Sequence, residues 1–343
     1  MMRSFLRSLF AQIRGGASLA PAGALDHLQP VNPGVRMVDG KVVPNGSCQA
    51  DIVSHCNLSC QDCNHLSPIA KKSIVLPEDL FRDLSILARA YRPSSMILMG
   101  GEPLLHPDIL SMIEAVRASG ISNRVRILTN GLLLSSMQEA FWEAIDELEI
   151  SVYPRVGIEK ELIQRYQDQA KAFGVRLEVF AFTDFRRSFS TQPSADLDLV
   201  RRVYRSCKSA HMWGCHHVYE GYFYKCPQSA FLPRMFPDLE PGRDGIRLHD
   251  HPELRDKLLA YLTSPEPLQA CRHCLANAGV PRGHAMVSPR NWRSRQEGEY
   301  AELLDHAEMT RNEKEMHLIT ADRIKTCIAD GEVSPGDAPL KIR

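Results

Sequence analysis

Three cysteines, Cys56, Cys60 and Cys63, lie four and three residues apart in the run Cys56-Asn57-Leu58-Ser59-Cys60-Gln61-Asp62-Cys63. Three thiolates are one ligand short of a closed tetrahedral metal site. An open position is what separates a reactive metal from a structural one. The run follows an apolar, strand-like stretch through Ala50, Ile52 and Val53. A second run, Gly100-Gly101-Glu102-Pro103, also follows an apolar stretch, Met96 to Met99. Farther along stand Cys207, Cys215, Cys226, Cys271 and Cys274. Paired Cys-x2-Cys units such as Cys271 to Cys274 read as metal ligands in a reducing compartment, and zinc is their usual guest.

The first two runs resemble the signature of the radical S-adenosylmethionine (SAM) superfamily, Cys-x3-Cys-x2-Cys followed by a strand ending in Gly-Gly-Glu. The resemblance implies that Cys56, Cys60 and Cys63 hold three corners of a 4Fe–4S cluster whose fourth iron stays open. SAM chelates that iron and is cleaved to a 5′-deoxyadenosyl radical, which abstracts hydrogen from substrate. It also implies that Gly100 and Gly101 let the backbone approach SAM closely and that Glu102 meets the SAM amino group. Thr129, Asn130 and Ser151 fall where related enzymes contact the SAM ribose or carboxylate, although each residue type also serves as an ordinary turn or cap. The residue before the third cysteine is often aromatic in the family and is Asp62 in this chain.

The later cysteines resemble the Twitch or SPASM extension of radical SAM enzymes, which opens with Cys-x(9–15)-Gly-x4-Cys. Cys207, Gly221 and Cys226 fit that spacing. The smaller Twitch form implies one auxiliary 4Fe–4S cluster on Cys207, Cys226, Cys271 and Cys274. Cys215 rivals Cys207, and the adjoining His216 and His217 keep a mixed site open. Zinc at Cys226 to Cys274 is the structural alternative. Cys48 and Cys327 read as buried free thiols. His55 and His65 read as loop histidines bonded to backbone. Tyr153, Arg155, Lys208 and His211 are candidates for substrate contact, and no residue is singled out as the catalytic base.

These residues need a scaffold that brings them to one edge. From Gln49 onward apolar runs end at Val53, Met99, Thr129, Tyr153 and Phe182. Helical periodicities lie between them: Leu80, Leu84, Leu87 and Tyr91; Ile109, Ile113 and Val116; Phe141, Ile145 and Leu148; Leu162, Ile163, Tyr166, Ala170 and Phe173. Gly120 and Gly174 stand where helix-terminating glycines belong. Repeated strand–helix units predict an α/β fold, a partial (β/α) barrel of five to six parallel strands, with ligands at the carboxyl ends of the strands. A small C-terminal Cys-rich α+β domain follows. The expected divisions are 1–47, an extension with an amphipathic helix and an Asp39-Gly40 hairpin; 48–190, the barrel; 191–290, the auxiliary domain with a hairpin turning at Gly221; and 291–343, a helical extension with a frayed tail.

Composition narrows the function classes. Hydrophobic residues make up 44% and charged residues 24%, and formal net charge is zero, so nothing points to nucleic acid. Ten cysteines in 343 residues are too sparse for a disulfide scaffold. No stretch is apolar and long enough to span a bilayer. Residues 1–14 interleave Phe5, Leu6, Leu9, Phe10 and Ile13 with Arg3, Arg7 and Arg14. That pattern suits a helix packed on the domain or, less ordinarily, one lying on an anionic membrane surface. Arg7 interrupts the apolar core a signal peptide needs, so a cytoplasmic location is expected.

A closed auxiliary cluster suits oxidation. The expected activity is therefore that of a radical SAM oxidoreductase on a small polyhydroxylated molecule, sugar- or cyclitol-like. Flavodoxin or ferredoxin is the expected kind of electron donor. Two alternatives are a radical SAM enzyme that matures a ribosomal peptide and a non-catalytic zinc-binding protein. The short region before the cysteine loop disfavours the peptide reading.

Overall fold

The computed structural model describes residues 35–154 and 156–316. The amphipathic segment at 1–14, Arg155, Cys327 and the tail from Gly331 lie outside the described residues. A short hairpin comes first, β1 (Arg36–Val38) and β2 (Lys41–Val43). Asp39 and Gly40 both take positive φ at its turn, the twist a two-residue hairpin demands.

The chain then alternates as its periodicity predicts. β3 (Cys48–Val53), β4 (Met96–Gly100), β5 (Val125–Thr129), β6 (Glu147–Val152) and β7 (Arg176–Ala181) run parallel, side by side. Four helices make the crossovers: α1 (Pro77–Ala88), α2 (Ile109–Ser119), α3 (Glu139–Ala144) and α4 (Lys160–Ala172). α1 starts on Pro77 with Glu78 and Asp79 in its first turn, both favourable at the positive end of a helix. The Asp108 carboxylate accepts from Ser111 N and caps α2, a contact worth about 1 kcal/mol. Leu80, Leu84 and Leu87 of α1 and Met112, Ile113 and Val116 of α2 are buried in one core with Ala50, Leu98, Ile127 and Ile150 from the strands.

Three expectations change. α3 is shorter than its periodicity implied: Ile145 lies just past its end and Leu148 belongs to β6, both buried from a strand approach rather than a helix face. The sixth parallel strand is β9 (His216–Tyr219), which pairs with β3 on the side opposite β4. Its hairpin partner β10 (Tyr222–Tyr224) and then β11 (Gly245–Arg247) continue the sheet antiparallel. The sheet order is β11-β10-β9-β3-β4-β5-β6-β7, so strands from both sides of residue 190 share one sheet. A strand pair absent from the sequence reading lies at residues 184–186 and 281–283. β8 (Asp184–Arg186) pairs with β12 (Pro281–Gly283), and Arg187 and Phe189 are buried.

At the amino-terminal edge of the sheet a charge cluster fastens three strands. Glu147 is buried and lies 2.6 Å from Arg124, 2.5 Å from Arg126 and 2.6 Å from Arg176. Burial alone would raise its pKa, but hydrogen bonds from Arg126 and Arg176 outweigh that and hold it below the ordinary glutamate value. A depressed folded-state pKa contributes stability above the unfolded value that is lost as pH falls through the folded one. Urea unfolding of Glu147→Gln should therefore show less dependence on pH than wild type between about pH 5 and pH 3. Parallel pH profiles for the two proteins would show that the cluster does not couple to folding.

Candidate functional site

The loops after β3, β4, β5 and β6 gather at the carboxyl edge of the sheet. Cys56, Cys60 and Cys63 lie on the first. Burial pushes the Cys56 and Cys60 thiols up to about 12, and the charge of Cys63 adds to both shifts. Cys63 is raised too, chiefly by burial. Thiols so placed are poor at ionising alone but suit a polynuclear metal cluster, whose positive irons offset the burial of thiolate. The donor set fits three corners of an iron–sulfur cube. Among the described residues no three His, Cys, Asp or Glu side chains converge as tightly as one metal ion requires.

The Gly-Gly-Glu run is built differently from expectation. Gly101 N donates to Val53 O at 2.8 Å and Glu102 N to His55 O at 3.0 Å. A Cβ on Gly100 would fall on the Val53 carbonyl, and one on Gly101 on the His55 carbonyl. The glycines thus bring β4 onto the backbone of the cysteine loop. Glu102 is 1% exposed, with Oε1 accepting from Leu104 N at 3.0 Å and Thr129 Oγ1 at 2.7 Å, and Oε2 from Asn130 N at 2.9 Å. Three of its roughly four acceptor positions are occupied. The carboxylate therefore braces the loop after β5 against that after β4. Thr129 faces Glu102, not an open site. Asn130 reaches the cysteine loop: Nδ2 donates to Asn57 Oδ1 at 2.7 Å and lies 3.7 Å from Cys56 Sγ. Ser151 is buried and bonded to the Tyr153 hydroxyl.

Asp62 is buried between arginines. Arg187 Nε and Arg282 Nη1 each lie 3.7 Å from its Oδ1. Burial raises its pKa, and those two charges partly offset this. An aromatic side chain there would leave both guanidinium groups without their carboxylate.

Sequence reasoning missed a strap from the C-terminal part of the chain. Residues 284–296 cross the cysteine loop. Ser59 Oγ donates to Val287 O at 2.5 Å, Val287 N to Ser59 O and Gln61 N to Ala285 O at 2.9 Å each. Trp292 Nε1 donates to Cys60 O at 2.9 Å and Gln296 Nε2 to Gln61 O at 2.5 Å. His284 Nε2 is 3.2 Å from Cys60 Sγ, and its ring stacks on Tyr153 at 4.9 Å. The only signal for this in the sequence is a lone tryptophan among charged residues.

Several histidines turn away from metal-ligand roles. His65 Nδ1 and His217 Nε2 both meet the buried Asp51 carboxylate, at 2.9 and 3.1 Å. His216 Nδ1 meets Tyr91 Oη at 2.7 Å. His211 is buried on the Tyr204 carbonyl, and Lys208 pairs with Glu315 at 2.7 Å.

Four of the later cysteines come together. Cys207 follows α5 (Leu197–Arg205) and precedes α6 (Lys208–His211); Cys226 follows β10 and precedes α7 (Pro227–Phe231). Cys271 and Cys274 lie on and just after a tight turn that the Asp244 carboxylate holds by accepting from Gln269 N and Ala270 N, both at 2.8 Å. Tyr300 Oη donates to Cys274 O at 2.8 Å. Cys207, Cys226, Cys271 and Cys274 line one narrow hollow of about 20 Å³, with Tyr204 and Gln228. Burial raises all four thiols, Cys207 to about 12. Cys215 is within electrostatic reach of Cys226, is bonded to Ser209 and does not line the hollow. Cys48 is buried in the main core, as a structural thiol.

Residues 52–165 match the model of the Radical SAM superfamily. A GTP 3′,8-cyclase of Trichodesmium erythraeum (strain IMS101) is 33% identical over 99 residues, 27% of this chain and 30% of that protein. The match thus spans less than a third of that relative's length. Among solved structures, BtrN in complex with AdoMet and 2-DOIA is 17% identical, with a TM-score of 0.40 over 64% of this chain and 82% of that one. Histidine-tagged anSMEcpe with bound AdoMet is 14% identical, with a TM-score of 0.44 over 82% and 98%. Among the described residues no helix is long and apolar enough to cross a membrane. The cysteine loop and the Gly-Gly-Glu brace both fall within the matching segment, residues 52–165.

Proposed function

We propose that this protein is a radical SAM oxidoreductase with one auxiliary 4Fe–4S cluster, acting on a small polyhydroxylated substrate such as a sugar or cyclitol. The observation that carries the reading is the meeting of Cys207, Cys226, Cys271 and Cys274 around one hollow. When bound, the first cluster with SAM supplies a hydrogen-abstracting radical, and the second supplies a one-electron acceptor. Cys56, Cys60 and Cys63 hold the first cluster. Asn130 orients the loop beside Cys56, and the backbone of Gly100 to Glu102, not the Glu102 carboxylate, is the part of that run left for SAM. Four thiolates complete the second cluster and leave it no open iron, which suits electron transfer better than substrate binding. Tyr153 and His284 form an aromatic wall next to Cys60 for substrate. The GTP 3′,8-cyclases match this chain through about a hundred residues only, so their cyclisation is not carried over.

Iron and sulfide per chain, measured after anaerobic reconstitution of a variant with Cys56, Cys60 and Cys63 all changed to Ala, test the reading. About four irons should remain, one cube. No iron, with zinc bound instead, would remove the auxiliary cluster and the oxidation that depends on it. Incubating wild type with SAM, reductant and either a panel of sugars and cyclitols or a panel of peptides then decides the substrate. Oxidation to a ketone in the first panel is expected, and turnover confined to peptides would refute it.

A further inference from the structure

We propose that Lys225 is the counter-cation of the auxiliary cluster, raising its midpoint potential so that it accepts an electron more readily. The proposal rests on reading Cys207, Cys226, Cys271 and Cys274 as cluster ligands. Lys225 stands between β10 and Cys226 and is fully buried. Its Nζ donates to Tyr204 Oη at 2.7 Å and to Ser264 O at 3.3 Å. It lies 5.4 Å from the ring centroid of Tyr204 and 5.5 Å from that of Tyr261. Every one of these partners is neutral. Among the described residues no carboxylate lies within ion-pair distance of Lys225, whereas Lys208 and Lys257 both have one.

A buried charge persists when something of opposite sign balances it. Burial works against the Lys225 ammonium, and thiolates at Cys226, the next residue, and at Cys271 and Cys207 would offset it. Tyr204 both holds the ammonium and lines the hollow, so one hydrogen-bonded side chain links Lys225 to the four-cysteine site. A cube on four thiolates carries net negative charge, and that charge grows when it takes an electron. A fixed positive charge in low-dielectric surroundings therefore stabilises the reduced form more than the oxidised form. At the first cysteine loop the buried cation Arg187 faces the Asp62 carboxylate instead. A purely structural lysine, tying the hairpin to Tyr204 and Ser264, would leave the potential alone.

The experiment uses the full chain carrying Ala at Cys56, Cys60 and Cys63, so that only auxiliary iron is read. Lys225→Met and Lys225→Arg are added to it separately. Iron per chain, thermal melting and the spectroelectrochemical midpoint are measured for each. Lys225→Arg should keep the parent's midpoint. Lys225→Met should load the same iron with a midpoint at least about 59 mV lower, a tenfold change in a one-electron equilibrium. Loss of iron in Lys225→Met alone, with melting unchanged, overturns the potential-setting role, since the charge would then serve to hold the cluster. An unchanged midpoint in iron-loaded Lys225→Met overturns the proposal. An equal fall in both variants also overturns it, since packing and not charge would then be responsible. If the parent itself holds no iron, the ligand assignment has failed and the proposal falls with it, a result distinct from an unchanged midpoint.

Discussion

Gly101→Ala should keep its sheet and lose the iron held by Cys56, Cys60 and Cys63. The added methyl would fall on the carbonyl of His55, with Cys56 N only 2.8 Å away. Those are backbone atoms of the cysteine loop and cannot swing aside as a side-chain tip does. Relief requires breaking the bonds from Gly101 N to Val53 O and from Glu102 N to His55 O. Both carry the loop's position relative to β4, so the three thiols should lose their common geometry. Anaerobically reconstituted Gly101→Ala should contain about four irons fewer than wild type, with auxiliary iron retained. Gly283→Ala is the control, because a Cβ there meets nothing nearer than Asp184 Oδ1 at 4.0 Å. Wild-type iron in Gly101→Ala would mean that the loop is not set by this contact.

The second large effect is expected at the strap. Trp292 is fully buried, packs on Phe189 at 6.0 Å between ring centroids and donates to the carbonyl of Cys60. Truncating a buried tryptophan to alanine costs about 3–5 kcal/mol through lost contacts and the cavity left behind. Trp292→Ala should therefore lower the urea unfolding free energy by about that much. Trp292→Phe keeps most of the packing and loses the hydrogen bond, so about 1 kcal/mol beyond its packing loss is expected. Both variants should surrender first-site iron to a chelator faster than wild type, because Cys60 loses its anchor. A Trp292→Ala protein within about 1 kcal/mol of wild type, by the same scale of core truncations, would show that the strap contributes little to folding.

Legibility in the sequence followed the range of the interaction. The five strand ends, the helix-ending glycines Gly120 and Gly174 and both hairpin turns are local, and each was readable from neighbours a few residues apart. The first cysteine group was readable because it comes in one short run, and the second because a Cys-x2-Cys pair closes it. Glu102 was recognised as special for a reason the structure revises: its motif is visible, but its partners Thr129 and Asn130 lie a full strand–helix unit away. His216 and His217 looked like metal ligands because they adjoin Cys215. The alternation of β9 instead directs them to Tyr91 and Asp51.

The residue types and their spacing by themselves set the chemistry to look for: three cysteines on one loop, four more farther along, and parallel strands to present the first. Tertiary structure alone decided that β9 closes onto β3, that Asp62 answers two arginines, that residues 284–296 cross the cysteine loop and that Lys225 stands beside the four-cysteine hollow. Ladder, cap and turn preferences act between near neighbours and leave a pattern in the chain. Contacts such as Trp292 to Cys60, 232 residues apart, leave none. They are selected by burial and by the need of buried polar groups for partners once the sheet has formed.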